Sequence, residues 1–176
     1  MRIKELFRQY FFRKKLKNIY ENVIFGSNFI LEDKELLYKN LLFKGSCYIG
    51  KCANWSIRGK IIIGDNVIFG PYSVLWTYNH NYDSDNYIPY GPKNEDIISD
   101  IIIEDNVWLG RSVTILGGVK IGEGAIIGAN SIVVKDIPPY SIAVGNPAKV
   151  VKRRNIEKYN NLKENNKLYL YSKKNK

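Results

Sequence analysis

From Ile103 onward an aliphatic residue recurs every six positions, at Ile103, Leu109, Ile115, Ile121, Ile127 and Val133. Four places after each comes a second small or branched residue: Val107, Val113, Val119, Ala125, Ser131 and Ile137. Glycine directly follows the first set at Gly110, Gly122 and Gly128, and the same phase shows earlier in Ile63-Gly64, Phe69-Gly70 and Leu75. Neither a heptad nor a 3.6-residue helical period fits these positions. Six residues make a short strand and a corner, so the pattern predicts stacked coils that bury an inward row against their neighbours. Glycine is expected to relax each corner, where a positive φ costs it little. The expected fold class is an all-β solenoid.

Three regions break the rhythm. Residues 3–20 place Ile3, Leu6, Phe7, Tyr10, Phe11 and Ile19 among basic residues, which predicts an amphipathic helix. Residues 76–100 read as an irregular insertion containing Pro89, Gly91 and Pro92. Beyond Pro138-Pro139 and the Gly145-Asn146-Pro147 turn, residues 153–170 read as a polar helix with a basic tail. The expected organisation is therefore a helix at 1–20, a solenoid domain at 21–151 with its loop at 76–100, and a basic helix or tail at 152–176.

Composition narrows the function. With 45% apolar residues in 176 there is enough to fill a core, and no run of 18 apolar residues offers a membrane span. The N-terminus lacks the features of a secretion signal, and Cys47 and Cys52 are too few for a disulfide framework. A cytoplasmic protein with reduced thiols is expected. The net charge of +10 lies at the ends: residues 1–20 carry seven Lys/Arg against one Glu, and residues 149–176 carry ten against two. The stretch between has ten basic and fourteen acidic residues. That distribution argues against a nucleic-acid footprint and suits anionic small molecules or an anionic membrane surface.

The repeats, the segment NVWLGRSVTILGGVKIGEGAIIGANSIVVKDIPPYSIAVGNPAKVVKR and the H-x-x-D at His80–Asp83 carry a family resemblance. Over roughly residues 45–153 the chain resembles the hexapeptide-repeat acyltransferases, nearest to the maltose and galactoside O-acetyltransferases and related enzymes acting on polysaccharides. The resemblance implies a left-handed parallel β-helix, a homotrimer with active sites between subunits, acetyl-CoA as donor and a histidine base, with no metal. His80 is the one histidine, in the one long interruption of the solenoid, and functional residues gather on such loops. A base is needed because a sugar hydroxyl is a weak nucleophile, and imidazole, with an ordinary pKa of about 6.5, suits that proton transfer. Asp83 is the expected orienting acid.

The same resemblance assigns the donor site residue by residue. Ala129 matches an alanine whose backbone meets the pantetheine arm, and Lys135 matches a nearby lysine. Val134 stands where a threonine is often found. Lys149 and Lys152 take the place of basic residues near the CoA phosphates, as lysines in place of arginines. Trp108 is either an exterior packing residue or a wall of the CoA cleft. The galactoside group has a serine after its W-I-G motif; here that position is Arg111, so a backbone N–H near Gly110–Arg111 is expected to serve the oxyanion. For the acceptor, Trp76, Tyr78, Asn79 and Tyr82 offer aromatic faces and polar groups of the kind that hold sugar rings. Two alternatives stay open: N-acetyl transfer to an amino sugar, and a non-catalytic scaffold subunit. The basic start of the chain also allows peripheral contact with a membrane, in capsule, exopolysaccharide or lipopolysaccharide assembly.

Overall fold

A computed structural model describes residues 14–16 and 19–172. Short parallel strands wind through three sheets that form the sides of a prism. Sheet A holds β1 (Val23–Phe25), β4 (Cys47–Ile49), β7 (Val67–Phe69), β12 (Trp108–Leu109), β15 (Ile126–Ile127) and β17 (Ser141–Val144). Sheet B holds β2 (Ile30–Glu32), β5 (Asn54–Ser56), β8 (Val74–Trp76), β13 (Thr114–Leu116) and β16 (Ile132–Val133). Sheet C holds β3 (Leu41–Phe43), β6 (Ile61–Ile63), β11 (Ile101–Ile103) and β14 (Lys120–Ile121). The chain visits A, B and C in turn, about six times, in a left-handed parallel β-helix.

The solenoid strands turn apolar residues inward. Ile103, Leu109, Ile115, Ile121, Ile127 and Val133 are all buried, as are Val107, Val113, Val119, Ala125, Ser131 and Ile137. The parallel register stacks like on like: Leu41, Ile61 and Ile101 in sheet C, Leu75 and Ile115 in sheet B. Burying a row this way stabilises by about 25 cal/mol per Å² of apolar surface removed from water. The first coils are filled with rings: Phe29 packs edge-on against Trp55 at 5.2 Å, and Trp55 tilts against Phe69 at 4.8 Å.

The corners correct one expectation. Gly70, Gly110 and Gly128 are not at positive φ; the left-handed residues are Tyr72, Ser112 and Asn130, two places further on. The glycines are there for space. A Cβ on Gly70 would lie 2.6 Å from the carbonyl carbon of Gly110, and one on Gly110 would lie 2.7 Å from the nitrogen of Ala129. The left-handed residues form their own ladder, with Tyr72 N–H donating to Lys51 O, Ser112 to Pro71 and Asn130 to Arg111, each at 2.8 Å.

The ends also differ from expectation. Of the N-terminal helix, residues 3–13 lie outside the described residues. Leu16 is fully buried, Ile19 and Tyr20 pack on the core, and Tyr20 OH donates to Leu41 O at 2.7 Å, so this segment caps the first coil. The single helix expected at 153–170 is broken up. After the Gly145 turn, β18 (Lys149–Arg153) pairs antiparallel with β17 and takes up its open edge. A helix, α2 (Ile156–Glu164), begins only where Asn155 accepts from the Lys158 N–H; α1 is the short turn Leu37–Asn40 in the first coil. Asn166 then turns at positive φ, and α3 (Tyr169–Ser172) returns to the solenoid, buries Leu170 and donates its Leu170 N–H to Asn66 Oδ1.

Candidate active site

The insertion leaves the solenoid at the corner between sheets B and C and re-enters at the same corner. Thr77 anchors its exit, accepting from the Gly59 N–H at 3.0 Å and donating to Ser56 O at 2.9 Å. The segment is less irregular than expected. Trp76 belongs to β8, and β9 (Tyr78–Asn79) pairs antiparallel with β10 (Ile97–Ile98), Asn79 facing Ile97. Continuing that register by one step brings His80 opposite Asp96. Their side chains meet, with His80 Nδ1 and Asp96 Oδ1 2.8 Å apart.

The carboxylate bonded to His80 is Asp96, and not Asp83, on which the expectation fell. Asp83 is exposed in the turn beyond, where its N–H donates to Asn81 Oδ1. The Asp96 side chain is fully shielded, while that of His80 is 39% exposed. The second Asp96 oxygen forms an ion pair with Arg58 from the β5–β6 corner. The hydrogen bond from His80, and then that from Arg58, hold the Asp96 carboxyl below the ordinary carboxylate range. An ionised carboxylate only accepts, so His80 Nδ1 is the donor, and in the neutral imidazole the lone pair is then on Nε2. Tyr90 covers one imidazole face, stacked at 4.0 Å with the rings 8° from parallel.

The expected acceptor residues divide. Trp76 and Tyr78 are half-buried and lie ring to ring at 5.2 Å, and Tyr78 sets its ring edge-on to His80 at 6.0 Å. Burial raises the Tyr78 hydroxyl pKa, with the charge of Glu32 adding to it. Asn79 Oδ1 accepts from the His80 N–H, so it shapes the turn. Tyr82 is largely in solvent.

The expected donor residues lie elsewhere. Gly110, Arg111 and Ala129 stack in the column between sheets A and B. The Gly110 N–H donates to Ile127 O at 2.8 Å and is used within the solenoid. That leaves the Arg111 N–H as the oxyanion candidate; the Arg111 guanidinium lies over the Tyr72 ring at 4.8 Å. Val134 and Lys135 are exposed just after β16. Lys149 and Lys152 are exposed on β18 opposite Val144 and Ile142. Trp108, 53% exposed, sits on the outside of sheet A between Ile68 and Ile126, in a crevice of about 260 Å³ closed by α2 and α3. His80 and the Gly110–Ala129 column thus lie off opposite edges of sheet B.

Sequence reasoning does not find Asp96 or Arg58. The apolar pair Ile97-Ile98, returning opposite Tyr78-Asn79, is the available signal for the hairpin. No local motif points to Arg58, which arrives from another coil.

The hexapeptide coils have counterparts among known transferases. A family model described as bacterial transferase hexapeptide (six repeats) matches residues 100–135. A protein of Schizosaccharomyces pombe named as an acetyltransferase is 45% identical over 95 residues, 53% of this chain and 43% of that one. The hexapeptide-repeat acetyltransferase of Vibrio cholerae O1 biovar eltor, solved with acetyl coenzyme A, is 30% identical with a TM-score of 0.64, covering 74% of this chain and 67% of that one. A galactoside acetyltransferase solved with coenzyme A is 28% identical with a TM-score of 0.65, covering 84% and 73%. This chain belongs to the bacterial hexapeptide-repeat transferases. It spans about half the length of the relatives matched by sequence, 43% of the S. pombe protein and 54% of one from Staphylococcus aureus (strain MRSA252).

Proposed function

We propose that the protein transfers an acetyl group from acetyl-CoA to a hydroxyl of a sugar, with His80 as general base. The observation that carries this is the His80–Asp96 pair, which leaves Nε2 unbonded on a partly exposed ring beside Tyr78 and Tyr90. The galactoside and V. cholerae acetyltransferases, solved with coenzyme A and acetyl coenzyme A, support the choice of donor. Acetyl-CoA supplies the thioester carbonyl and the thiolate leaving group. His80 Nε2 takes the hydroxyl proton as the sugar oxygen attacks, and returns it to the departing sulfur. The Arg111 N–H faces the developing oxyanion, and Lys149 and Lys152 meet the remote phosphates.

The cleft belongs between subunits of a homotrimer. Base and donor column flank sheet B from opposite edges, so a neighbouring copy that places its column against the loop completes the site and, by threefold closure, repeats it three times. The setting we propose is surface-polysaccharide assembly in the cytoplasm, with the basic N-terminal segment able to touch an anionic membrane. No helix among the described residues is long and apolar enough to cross one.

The test mixes purified protein with acetyl-CoA, a thiol-reactive dye and a panel of neutral, amino and nucleotide-linked sugars. Thiol release that depends on a sugar, an O-acetyl mass in the product, and a loss of about 10²–10⁴-fold in His80→Ala support the reading. An N-acetyl product moves it to amino sugars. Turnover of His80→Ala within a few-fold of the parent removes His80 from the chemistry.

A further inference from the structure

We infer that Arg58 is a positioning residue for His80: from the corner of the second coil it fixes the Asp96 carboxylate, and thereby the proton on His80 Nδ1 and the bare Nε2. The inference rests on His80 as the base and adds a residue outside the loop.

Asp96 lies on the insertion, and a carboxylate on a loop can rotate about its two side-chain torsions. Here each oxygen has a partner of different origin. Oδ1 meets His80, sixteen residues upstream in the same hairpin, and Oδ2 meets Arg58, thirty-eight residues upstream on the solenoid. Of the two, Arg58 is tied to the rigid scaffold. Buried Asn40 donates from Nδ2 to both Ile57 O at 2.8 Å and Arg58 O at 2.9 Å, which fixes the Arg58 backbone from the first coil. On the other side Gly59 N–H is held by Thr77 Oγ1, where the loop departs. A Cβ on Gly59 would lie 2.7 Å from Ser99 O, so the corner and the returning loop strand are packed together.

The guanidinium is also confined along its length. It lies over the Tyr78 ring at 4.5 Å, and its Nη2 reaches Lys93 O at 3.4 Å. Two further carboxylates, Glu32 and Asp33, act on this corner, and Asp33 is partly engaged by Ser56 Oγ at 3.2 Å. Of these charged groups Arg58 alone is bonded to Asp96. A planar fork can hold one carboxylate oxygen and a carbonyl together, whereas a lysine ammonium would keep the charge and lose the geometry. The consequence for His80 is a choice of tautomer. If Asp96 turned away, either ring nitrogen could carry the proton, and the fraction with a free Nε2 would fall.

His80 is the only histidine in the sequence, so its ring nitrogens are read without assignment in tag-free protein labelled with ¹⁵N-histidine. Spectra are taken near pH 8, above the ordinary imidazole pKa of about 6.5. The parent is expected to show the Nδ1–H tautomer. Arg58→Met is expected to show a mixture of tautomers and a kcat roughly tenfold to a hundredfold lower, as for a misplaced reacting group, with the Kd for acetyl-CoA unchanged. Arg58→Lys should fall between the two. A parent spectrum with the proton on Nε2, or an Arg58→Met protein with the parental tautomer, overturns the inference. A tautomer shift without loss of turnover leaves Arg58's hold on Asp96 standing and overturns the base assignment instead. Arg58→Gln, uncharged but able to hydrogen-bond, carries the same test if the methionine variant does not fold.

Discussion

Replacing Gly70 with alanine tests why glycine recurs at the corners. The new Cβ would lie 2.6 Å from Gly110 C and 2.7 Å from Arg111 N and Gly110 O, all main-chain atoms of the next coil. Ordinary contact for a Cβ begins near 3.4 Å, so the coils must part locally by most of an ångström. The segment that has to move is held by Gly70 N–H to Leu109 O, Gly110 N–H to Ile127 O and Ser112 N–H to Pro71 O, each at 2.8 Å. Stretching one of these bonds while overpacking the corner costs about 2–4 kcal/mol. For a chain of this size that is a fall in Tm of about 5–15 °C. The control is Gly118→Ala, where φ is +85° and the nearest atom is 3.8 Å away; only the left-handed backbone is strained there, at about 1–2 kcal/mol. Urea unfolding followed by circular dichroism, at one fixed protein concentration, measures both. Gly70→Ala within about 0.5 kcal/mol of the parent would show that close approach of the coils is not what requires glycine.

Other outcomes follow from the site and its surroundings. Lys149→Ala with Lys152→Ala should raise the KM for acetyl-CoA and leave kcat near the parental value, because contacts to remote phosphates are equal in ground and transition states; unchanged binding would return both lysines to a solvated strand. The Asp96 carboxyl is held down in the folded state, so its contribution to stability is present above the unfolded pKa of about 3.9 and is lost as pH falls through the folded value. The Tm difference between parent and Asp96→Asn should therefore be largest near neutrality and shrink toward pH 3, and a constant difference would refute the linkage. Mixing His80→Ala chains with Ala129→Trp chains should restore part of the activity in mixed trimers, while a fully active monomer in light scattering would sink the shared cleft.

The solenoid is legible in the sequence because its inward row repeats with a phase that no other structure shares. One aliphatic on each side of each coil must face the axis, and that requirement alone places Ile103 to Val133. The first two coils are harder to read. Their inward positions hold Phe29 and Trp55, and the turn through Leu37–Asn40 interrupts the count. The corner glycines are conspicuous but ambiguous, because a sequence shows that a side chain is missing without showing whether conformation or space forbids it. His80 stands out as the one histidine in the one long loop. Its acid does not, because pairing across a hairpin depends on register, and H-x-x-D offers a nearer carboxylate in Asp83. The tail reads as one helix because β18, polar and exposed, lacks the inward alternation that marks a strand; the edge left by β17 organises it.

A solenoid fixes distances in two directions, and the placement of the site follows from both. Along the axis, neighbouring coils are about 4.8 Å apart, so Arg58 in the second coil reaches the loop of the third directly. The interruption must then leave and return at one corner, because the coils above and below keep their register. Thr77 and Ser99 close that gap with the Ser99 N–H donating to Thr77 O at 2.9 Å. What is inserted there can become a hairpin without disturbing the core, and a hairpin sets two side chains opposite each other by register alone. The scaffold contributes the cation, the hairpin contributes the acid and the imidazole, and neither part holds the ring in place without the other.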